Sequence, residues 1–416
     1  MKEKIKIGYV GVGRRGHAVL DQCFSEMGDV EIVALCDSSV DALERAKETL
    51  LKKGRKEPQL TSNYDDILNN PEIDAVILMI GWQGRADMAI KSMYAGKYTA
   101  IEVGCAFDIS ECYQLVDAYE KTGVPLMMLE NCCYGRKEMM ALNVAEQGLF
   151  GEIAHCDGGY CHYLPDDELL KDIDGEKTHY RIQSYIRRNC ETYPTHEFGP
   201  ISKILKINRG NRMLTLNSVA SKSVGLKEAS KRILGEDSPY ASIDYKQGDI
   251  VTTIIKCAGG ETVRLTLDTT LPRAFYSRNF TIRGSKGMYA EDGKVLFFEG
   301  MEEPVRDNQD EMFKTYDHPL HKEYVEIGEK GGHGGMDWLV CRAFIESVKN
   351  GTDTPIDAYD TAAWMAIGPL SEASIAMGGA PVAVPDFTKG KWVYERPIVE
   401  GKYCLDKVCV DESVKI

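Results

Sequence analysis

The first third of the chain alternates short apolar runs with amphipathic stretches. The apolar runs lie at residues 4–10, 30–36, 74–80, 99–102 and 125–130, and stretches of helical periodicity separate them at 15–27, 41–53, 86–94 and 110–121. Nearly continuous Val, Ile and Leu runs indicate parallel strands that are covered on both faces. The pattern therefore predicts an α/β domain over residues 1–130, with a doubly wound parallel sheet of the nucleotide-binding Rossmann kind.

The pattern changes after about residue 130. Strand-like runs now follow one another at 151–163, 213–221, 249–257, 261–270, 279–283 and 295–299, and several alternate polar with apolar residues. Such alternation is typical of a sheet with one buried and one exposed face. We therefore expect an α+β domain over residues 131–416 with an open, largely antiparallel sheet, closed by helices at 336–348 and 359–377. The charged, tyrosine-rich segment 166–188 fits an exposed insertion.

Composition narrows the range of partners. The 416 residues carry a formal net charge of -14, which disfavours nucleic acid and anionic membrane surfaces. No apolar run approaches the roughly 18 residues that a membrane helix needs, and we expect no signal peptide before the first strand. The 13 cysteines form no CxxC pair and resemble reduced core residues, so a cytoplasmic protein is expected. The 8 histidines show no ligand spacing, which predicts no metal.

A glycine motif lies between the first strand and the first helix. Residues 11–16 read GVGRRG, which places Gly11, Gly13 and Gly16 in the GxGxxG spacing. In that context the first glycine permits a tight turn, the second lets the backbone approach a pyrophosphate, and the third lets helix and strand pack closely. Asp37 ends the next strand, where a carboxylate accepts hydrogen bonds from the ribose diol and repels a 2′-phosphate. The sequence thus predicts a cofactor site that prefers NAD to NADP.

Several short motifs occur together further along the chain. They read MMLEN at 127–131, GGYCH at 158–162, YPTH at 193–196, DTTLPR at 268–273 with YSR at 276–278, and GGHGGMD at 331–337. A nucleotide-binding half followed by an open-sheet half resembles the Gfo/Idh/MocA oxidoreductase family, and these motifs most resemble glycoside hydrolase family 109. The resemblance extends over residues 4–377. It implies an NAD-dependent glycosidase, from a family best known for removing terminal N-acetylgalactosamine.

Two departures from the wider family bear on the reaction, and one departure from the hydrolase branch bears on the substrate. Its dehydrogenases carry Glu-Lys-Pro after the fifth strand, whereas this chain has Glu102-Val103-Gly104, and Thr192 stands where an aspartate is usual. The missing lysine favours the hydrolase branch over plain sugar or inositol dehydrogenation. Arg85 stands where the hydrolase branch usually has histidine, so the identity of the sugar stays open.

Four residues are the catalytic candidates, namely His196, Tyr193, Tyr160 and His162. His196 follows Tyr-Pro-Thr and precedes a helical stretch, so it should lie in a first helical turn. There the helix dipole disfavours imidazolium and leaves a ring that is able to take a proton. Tyr193 projects to the same side, and Tyr160 and His162 alternate on a strand and share a face. A capping histidine and ordinary sheet-face residues are the structural alternatives.

The remaining candidates bind cofactor or substrate. Glu130 ends a strand at its carboxyl edge, where helix capping, ribose binding and catalysis are all open. Tyr276, His333 and Asp337 are the substrate-binding candidates, with a surface aromatic residue and a flexible turn as the alternatives. Trp82 is expected near the nicotinamide, with core packing as its alternative. The cofactor-binding candidates are Gly11, Gly13, Arg14, Arg15, Gly16, Asp37, Trp82, Glu102, Glu130 and Asn131.

The resemblance implies cleavage of a terminal sugar without net redox change. Carbon 3 of the sugar is oxidised by bound NAD+ while His196 or Tyr193 accepts the hydroxyl proton, and the Tyr160/His162 pair then removes the acidified hydrogen on carbon 2. The aglycone leaves, water adds and carbon 3 is reduced again. The alternatives are a net NAD-dependent sugar or inositol dehydrogenase with a keto product, and a non-catalytic NAD sensor. We expect a carbohydrate or glycoside substrate and a homo-oligomer, a dimer or tetramer formed through the open sheet face.

Overall fold

The computed structural model describes residues 4–171, 173, 179–326, 330–394 and 399–408. Within these residues, six parallel strands form the first sheet, in the order β3-β2-β1-β4-β5-β6. Strand order reverses between β1 and β4, and such a switch point opens a crevice at the carboxyl ends of the strands. The predicted Rossmann sheet is confirmed. Its strands are β1 (Ile5–Val10), β2 (Val30–Cys36), β3 (Gln59–Thr61), β4 (Ala75–Leu78), β5 (Tyr98–Ile101) and β6 (Leu126–Met128).

Helices connect these strands and cover both faces of the sheet. The first is shorter than predicted, because it ends at Gln22 and a separate 3₁₀ turn, Phe24–Glu26, follows Cys23. The fifth begins at Asp108, whose carboxylate accepts the Ser110 and Glu111 N–H groups, and it ends at Gly123 in the left-handed conformation. The helices are α1 (Arg14–Gln22), α2 (Val40–Lys52), α3 (Tyr64–Leu68), α4 (Arg85–Tyr94) and α5 (Ile109–Thr122).

The second sheet is open and largely antiparallel, as predicted. Within the described residues it has nine strands in the order β14-β13-β12-β11-β7-β10-β9-β8-β15, and β7 with β10 is the parallel pair. The short strands β12, β14 and β15 were not predicted. The strands are β7 (Ile153–Cys161), β8 (Met213–Ala220), β9 (Ile250–Cys257), β10 (Thr262–Asp268), β11 (Thr281–Gly284), β12 (Gly287–Ala290), β13 (Val295–Phe298), β14 (Val305–Arg306) and β15 (Val382–Ala383).

Helices of the second half join it to the Rossmann sheet. Helix α8 packs on β7, while α14 returns to α5 and β6 and carries the fully buried Trp364. Asp357 begins α14, because its carboxylate accepts two N–H groups of the first turn. Among the described residues, no helix combines the length and apolar character that crossing a bilayer requires. The helices are α6 (Arg136–Glu146), α7 (Tyr180–Arg187), α8 (Thr195–Ile204), α9 (Gly225–Leu234), α10 (Pro239–Ser242), α11 (Gln309–Tyr316), α12 (Pro319–Glu326), α13 (Met336–Asn350) and α14 (Ala358–Ala376).

The prediction of an exposed insertion at 166–188 is wrong for the part that the structure describes. Helix α7 buries Arg181, Ile182 and Tyr185, and the Tyr185 hydroxyl hydrogen-bonds Thr269 Oγ1 at 2.7 Å. Ile182 and Tyr185 lie three residues apart, so they share one helix face that packs inward. Residues 172 and 174–178 of this segment lie outside the described residues. The charged residues of the segment therefore suggested exposure, although its helix α7 packs into the core.

Candidate active site

The glycine-rich turn lies at the carboxyl end of β1. Gly11 adopts a φ of 88°, and a Cβ there would lie 2.5 Å from the Met79 carbonyl oxygen, while a Cβ at Gly16 would overlap the Gly11 carbonyl. A Cβ at Gly13 would meet nothing within 4 Å. Gly13 therefore borders open space in front of the α1 N-terminus, where a pyrophosphate can approach the backbone N–H groups. These residues fit the dinucleotide that the motif predicts.

Asp37 lies beside this turn at the end of β2. Its Oδ2 accepts the Val12 N–H at 2.7 Å and its Oδ1 accepts the Ser39 N–H at 2.9 Å. These bonds fix the carboxylate next to the glycine turn and leave lone pairs for a ribose diol. Arg14 Nη1 donates to the Asp167 carbonyl at 3.1 Å, so the side chain of this cofactor candidate bridges to the second half of the chain.

Five candidate residues form one network around Asp337. Arg15 donates to both Asp337 oxygens at 2.7 Å and from Nε to Glu102 Oε1 at 3.0 Å, while Asn131 Nδ2 and His333 Nδ1 bond Asp337 at 2.7 and 2.8 Å. Burial alone would raise the pKa of Asp337, but Arg15 and His333 hold it well below its usual range. The structure thus places Asp337 and His333 against the cofactor helix, with both Asp337 oxygens engaged.

His196 lies in the first turn of α8, as predicted, and bonds a buried carboxylate. Its Nδ1 is 2.6 Å from Glu130 Oε1, which also accepts the Cys132 N–H at 3.0 Å. Burial would raise the pKa of Glu130, but His196 and the Cys132 N–H hold it below its ordinary value. Since an ionised carboxylate can only accept, Nδ1 must carry the proton. Nε2 then keeps its lone pair and is able to accept a proton.

The other three catalytic candidates adjoin this pair. The Tyr193 ring lies 4.8 Å from the His196 ring, and the Tyr160 ring lies 4.5 Å from that of Tyr193. The Tyr160 hydroxyl and His162 Nδ1 share a hydrogen bond of 3.2 Å. Burial lowers the pKa of His162 and raises that of Tyr160, so both groups are uncharged near neutral pH. The structure therefore brings together all four residues, from β7 and the start of α8.

Two further aromatic candidates flank this cluster. The Tyr276 ring lies 5.3 Å from the His162 ring, and Tyr276 remains 46% exposed, which places it at the rim. Trp82 is buried, with its ring 6.2 Å from that of Tyr193. Gly104 has a φ of 128°, and a Cβ there would overlap the Trp82 ring. The loop that lacks the family lysine therefore also makes room for this tryptophan.

Arg181 is a site residue that the sequence reasoning missed. Its guanidinium lies 4.5 Å from the Tyr193 ring centroid and forms a 3.2 Å ion pair with Glu168. Burial opposes its charge, but Tyr180, Tyr193, Tyr160 and Glu168 hold its pKa well above the usual range. The apolar spacing of residues 182, 185 and 186 predicts an amphipathic helix. This spacing could have predicted that helix α7 packs against the core and that Arg181 is buried with it.

One group of side chains has the spacing of metal ligands. Donor atoms of Glu130, Cys132 and His196 all lie within 4.8 Å of one another. Burial raises the pKa of the Cys132 thiol well above its ordinary value, and a thiolate is the form that binds metal. Glu130 and His196 already bond each other. We assign no metal to this group.

Comparison with known proteins agrees with both halves of this geometry. Residues 5–130 match the model of the oxidoreductase family with an NAD-binding Rossmann fold, and residues 134–394 match that of the glycosyl hydrolase 109 C-terminal domain. Fold and cofactor turn thus define an NAD-binding enzyme of the Gfo/Idh/MocA class. Within that class, the chain belongs to glycoside hydrolase family 109. The predicted family, fold and cofactor are confirmed, and the protein is an NAD-dependent glycoside hydrolase.

Individual relatives support this placement. An alpha-N-acetylgalactosaminidase from Tannerella forsythia is 40% identical over 414 residues, which cover 94% of this chain and 88% of the relative. A glycosyl hydrolase family 109 protein from Parabacteroides distasonis is 38% identical over 421 residues, covering 95% and 89%. Among solved structures, a levoglucosan dehydrogenase in complex with NADH and levoglucosan has a TM-score of 0.70 at 18% identity, covering 92% of this chain and 100% of that one, which is a likeness of fold.

Proposed function

We propose that the protein removes α-linked terminal N-acetylgalactosamine, or a closely related sugar, from glycosides. The name of the Tannerella forsythia relative supports the sugar and the linkage. The observation that carries the chemistry is the 2.6 Å bond between His196 Nδ1 and Glu130, which leaves His196 Nε2 as a proton acceptor beside Tyr193 and Tyr160.

His196 acts first in the proposed reaction. Bound NAD+ supplies a reversible hydride acceptor for carbon 3 of the sugar. His196 Nε2 accepts the proton of the hydroxyl group on that carbon, and the Glu130 carboxylate stabilises the imidazolium that forms. Trp82 and Tyr193 provide apolar walls that keep water from the reacting carbon.

The Tyr160/His162 pair acts second. Once carbon 3 is a ketone, the hydrogen on carbon 2 becomes acidic, and an uncharged base in a buried position is able to remove it. The bond between carbon 1 and the aglycone then breaks by elimination, and the aglycone leaves with the bonding electron pair. Water adds to carbon 1, carbon 2 regains a proton, and carbon 3 is reduced again by return of the hydride. Because this path is anionic, the paired carboxylates of ordinary glycosidases are not needed.

Other candidates have supporting roles in this proposal. Arg181 and Tyr276 border the cluster and donate hydrogen bonds to sugar hydroxyl or amide groups. Asp337 and His333 act through Arg15 and hold the cofactor turn, which replaces the substrate-binding role expected from sequence. The carboxylate of Asp37 binds the ribose diol.

We further propose a homo-oligomer in the cytoplasm. The outer face of the second sheet exposes Val219 and Ile254 beside the Arg264–Asp157 ion pair of 2.7 Å, which suits contact with a second copy of the same face. The 12 cysteines within the described residues are all free and buried, which fits a reducing compartment. Light scattering during size-exclusion chromatography tests the assembly, because a monomer at micromolar concentration would contradict it.

A panel of α- and β-linked nitrophenyl glycosides tests the function. Released phenol and reduced cofactor are recorded separately, without added NAD+. We expect phenol release over many turnovers from the α-linked N-acetylgalactosaminide and no net accumulation of reduced cofactor. Stoichiometric reduced cofactor together with a keto product would instead assign the protein as a dehydrogenase.

A further inference from the structure

Two additional glutamates are buried in the chain segment that carries the proposed catalytic histidine. Glu191 and Glu197 flank His196 in the sequence, and their exposed fractions are 0% and 2%. Within the described residues, neither carboxyl group forms an ion pair, and no side chain donates a hydrogen bond to any of their four oxygens. A charged carboxylate is almost never buried without such partners, because its desolvation costs several kcal/mol.

Glu197 packs against strand β7, and within the described residues no cation forms an ion pair with it. A Cβ at Gly158 would lie 2.8 Å from Glu197 Cβ, so the helix presses this side chain onto strand β7. The cation that acts on Glu197 is Arg278, whose guanidinium is already bound to Glu138 Oε1 at 2.6 and 2.8 Å. Glu130, the partner of His196, acts on Glu197 from the other side with the same sign of charge.

Within the described residues, Glu130 therefore has His196 as its partner, whereas neither Glu191 nor Glu197 has an ion pair or a side-chain hydrogen bond. We propose that Glu191 and Glu197 are positioning residues that are held as uncharged carboxylic acids and leave Glu130 as the single anion beside His196. This inference deepens the proposed function and rests on it for its purpose. Elimination develops negative charge on the sugar, and a second anion in this low-dielectric site would oppose that charge.

The groups that face each glutamate support this protonation state. Burial raises the pKa of Glu191 to about 8, with Cys105 adding to the rise and the Tyr193 N–H opposing it. Burial raises the pKa of Glu197 well above its usual range, with Glu191 and Glu130 adding and Arg278 opposing. Both acids therefore keep their protons at neutral pH, and ionisation of Glu191 begins to matter near pH 8.

Thermal unfolding of the full chain at a series of pH values tests the inference without turnover. The folded state keeps a proton on Glu191 that the unfolded chain loses above about pH 4.5, so wild-type stability falls as pH rises from there to about 8. Glu191→Gln and Glu197→Gln have no such proton. We expect their Tm to rise relative to wild type by roughly 5 °C between pH 5 and 8. The exposed-residue control Glu152→Gln should follow wild type.

Parallel Tm profiles of wild type and both Gln variants would overturn the inference, whether or not the protein proves to be a glycosidase. Infrared spectroscopy of the unsubstituted protein serves if a variant does not fold. A protonated-carboxyl C=O band at pH 7 is expected, and its absence would also overturn the inference.

The pH profile of kcat tests whether the two uncharged acids support the reaction. Wild type and Glu152→Gln should decline above about pH 8, and Glu191→Gln should lack this decline. A Glu191→Gln profile identical to wild type would contradict that purpose.

Discussion

Asp337 and Glu130 are both buried carboxylates that join distant parts of the chain, but their hydrogen bonding differs. Asp337 accepts from Arg15, Asn131 and His333, so both of its oxygens are engaged. Glu130 Oε1 accepts from His196 and the Cys132 N–H, and within the described residues no cation other than His196 pairs with this carboxylate.

We interpret this difference as one between a structural network and a reactive one. A fully engaged ionic network has one favoured arrangement, so the Asp337 network fixes the cofactor helix against α13. The Glu130 pair instead fixes which nitrogen of His196 holds the proton and leaves the other nitrogen available. Loss of Asp337 should therefore affect stability and cofactor binding, whereas loss of Glu130 should affect the chemical step.

Glu130→Gln should have the largest effect. The amide N–H₂ of glutamine can donate to His196 Nδ1, which moves the imidazole proton to Nε2 and removes the proton acceptor. We expect kcat to fall by roughly 10²–10⁴-fold, the usual contribution of a general base. The measurement is kcat on an α-linked nitrophenyl N-acetylgalactosaminide. Asp29→Asn, which removes a carboxylate from Arg342 and Lys349, is the control, and an equal loss in that control would refute the tautomer argument.

Asp337→Asn should act mainly on stability and cofactor retention. The neutral amide loses the charge-assisted bonds to Arg15, worth about 2–3 kcal/mol in the free energy of unfolding. Urea unfolding measures this loss, and equilibrium dialysis should show weaker NAD binding by about tenfold. The kcat of the NAD-saturated variant should stay within about tenfold of wild type. A loss of kcat as large as that of Glu130→Gln would contradict the distinction between a structural Asp337 network and a reactive Glu130 pair.

Asp37→Ser should have a smaller effect, confined to cofactor choice. Serine can still accept a hydrogen bond near the Val12 N–H but no longer repels a 2′-phosphate. We expect wild type to bind NAD in preference to NADP, and the ratio of the two Kd values to narrow by about tenfold in the variant. Calorimetric titration with each cofactor measures the ratio. Equal affinity of the unsubstituted protein for both would contradict the assignment of Asp37.

The acid side of the pH profile should show the smallest effect. Burial lowers the pKa of His162 from 6.5, so this base stays uncharged and competent below that value. The unfolded chain binds a proton there below about pH 6.5 and the folded chain does not, so the free energy of unfolding falls as pH drops through that value. In His162→Gln, the free energy of unfolding should lack this part of its pH dependence. The comparison of wild-type and variant Tm between pH 7 and 5 checks it, and identical slopes would count against a buried neutral His162.

The sequence predicted the cofactor half closely because its signal is local. A glycine turn between a strand and a helix binds through backbone geometry, and the crowding at Gly11 and Gly16 and the open space at Gly13 match the geometry that their spacing indicated. The alternation of apolar runs likewise predicted both sheets. The two-residue strands β14 and β15 were missed because so short a run has no measurable periodicity.

In the catalytic half, the sequence indicated which residues were candidates for the site but not which of them contact one another. Glu130 and His196 are 66 residues apart, and Arg15 and Asp337 are 322 apart, so no local pattern pairs them. Arg181, Glu191 and Glu197 were missed because charged residue types are usually exposed, and only tertiary packing buries them here. Buried charged residues of this kind are exceptions to the usual exposure of charged side chains, and such exceptions are expected at functional sites.

Deuterium incorporation at carbon 2 of the released sugar tests the central claim most directly. Wild-type enzyme acts on an α-linked N-acetylgalactosaminide in heavy water, and the sugar product is examined by nuclear magnetic resonance. If the Tyr160/His162 pair removes the carbon 2 hydrogen after oxidation assisted by His196, the product carries deuterium at carbon 2, and His196→Ala gives neither label nor cleavage. Cleavage by wild type with hydrogen retained at carbon 2, or near-normal turnover by His196→Ala, would contradict the mechanism.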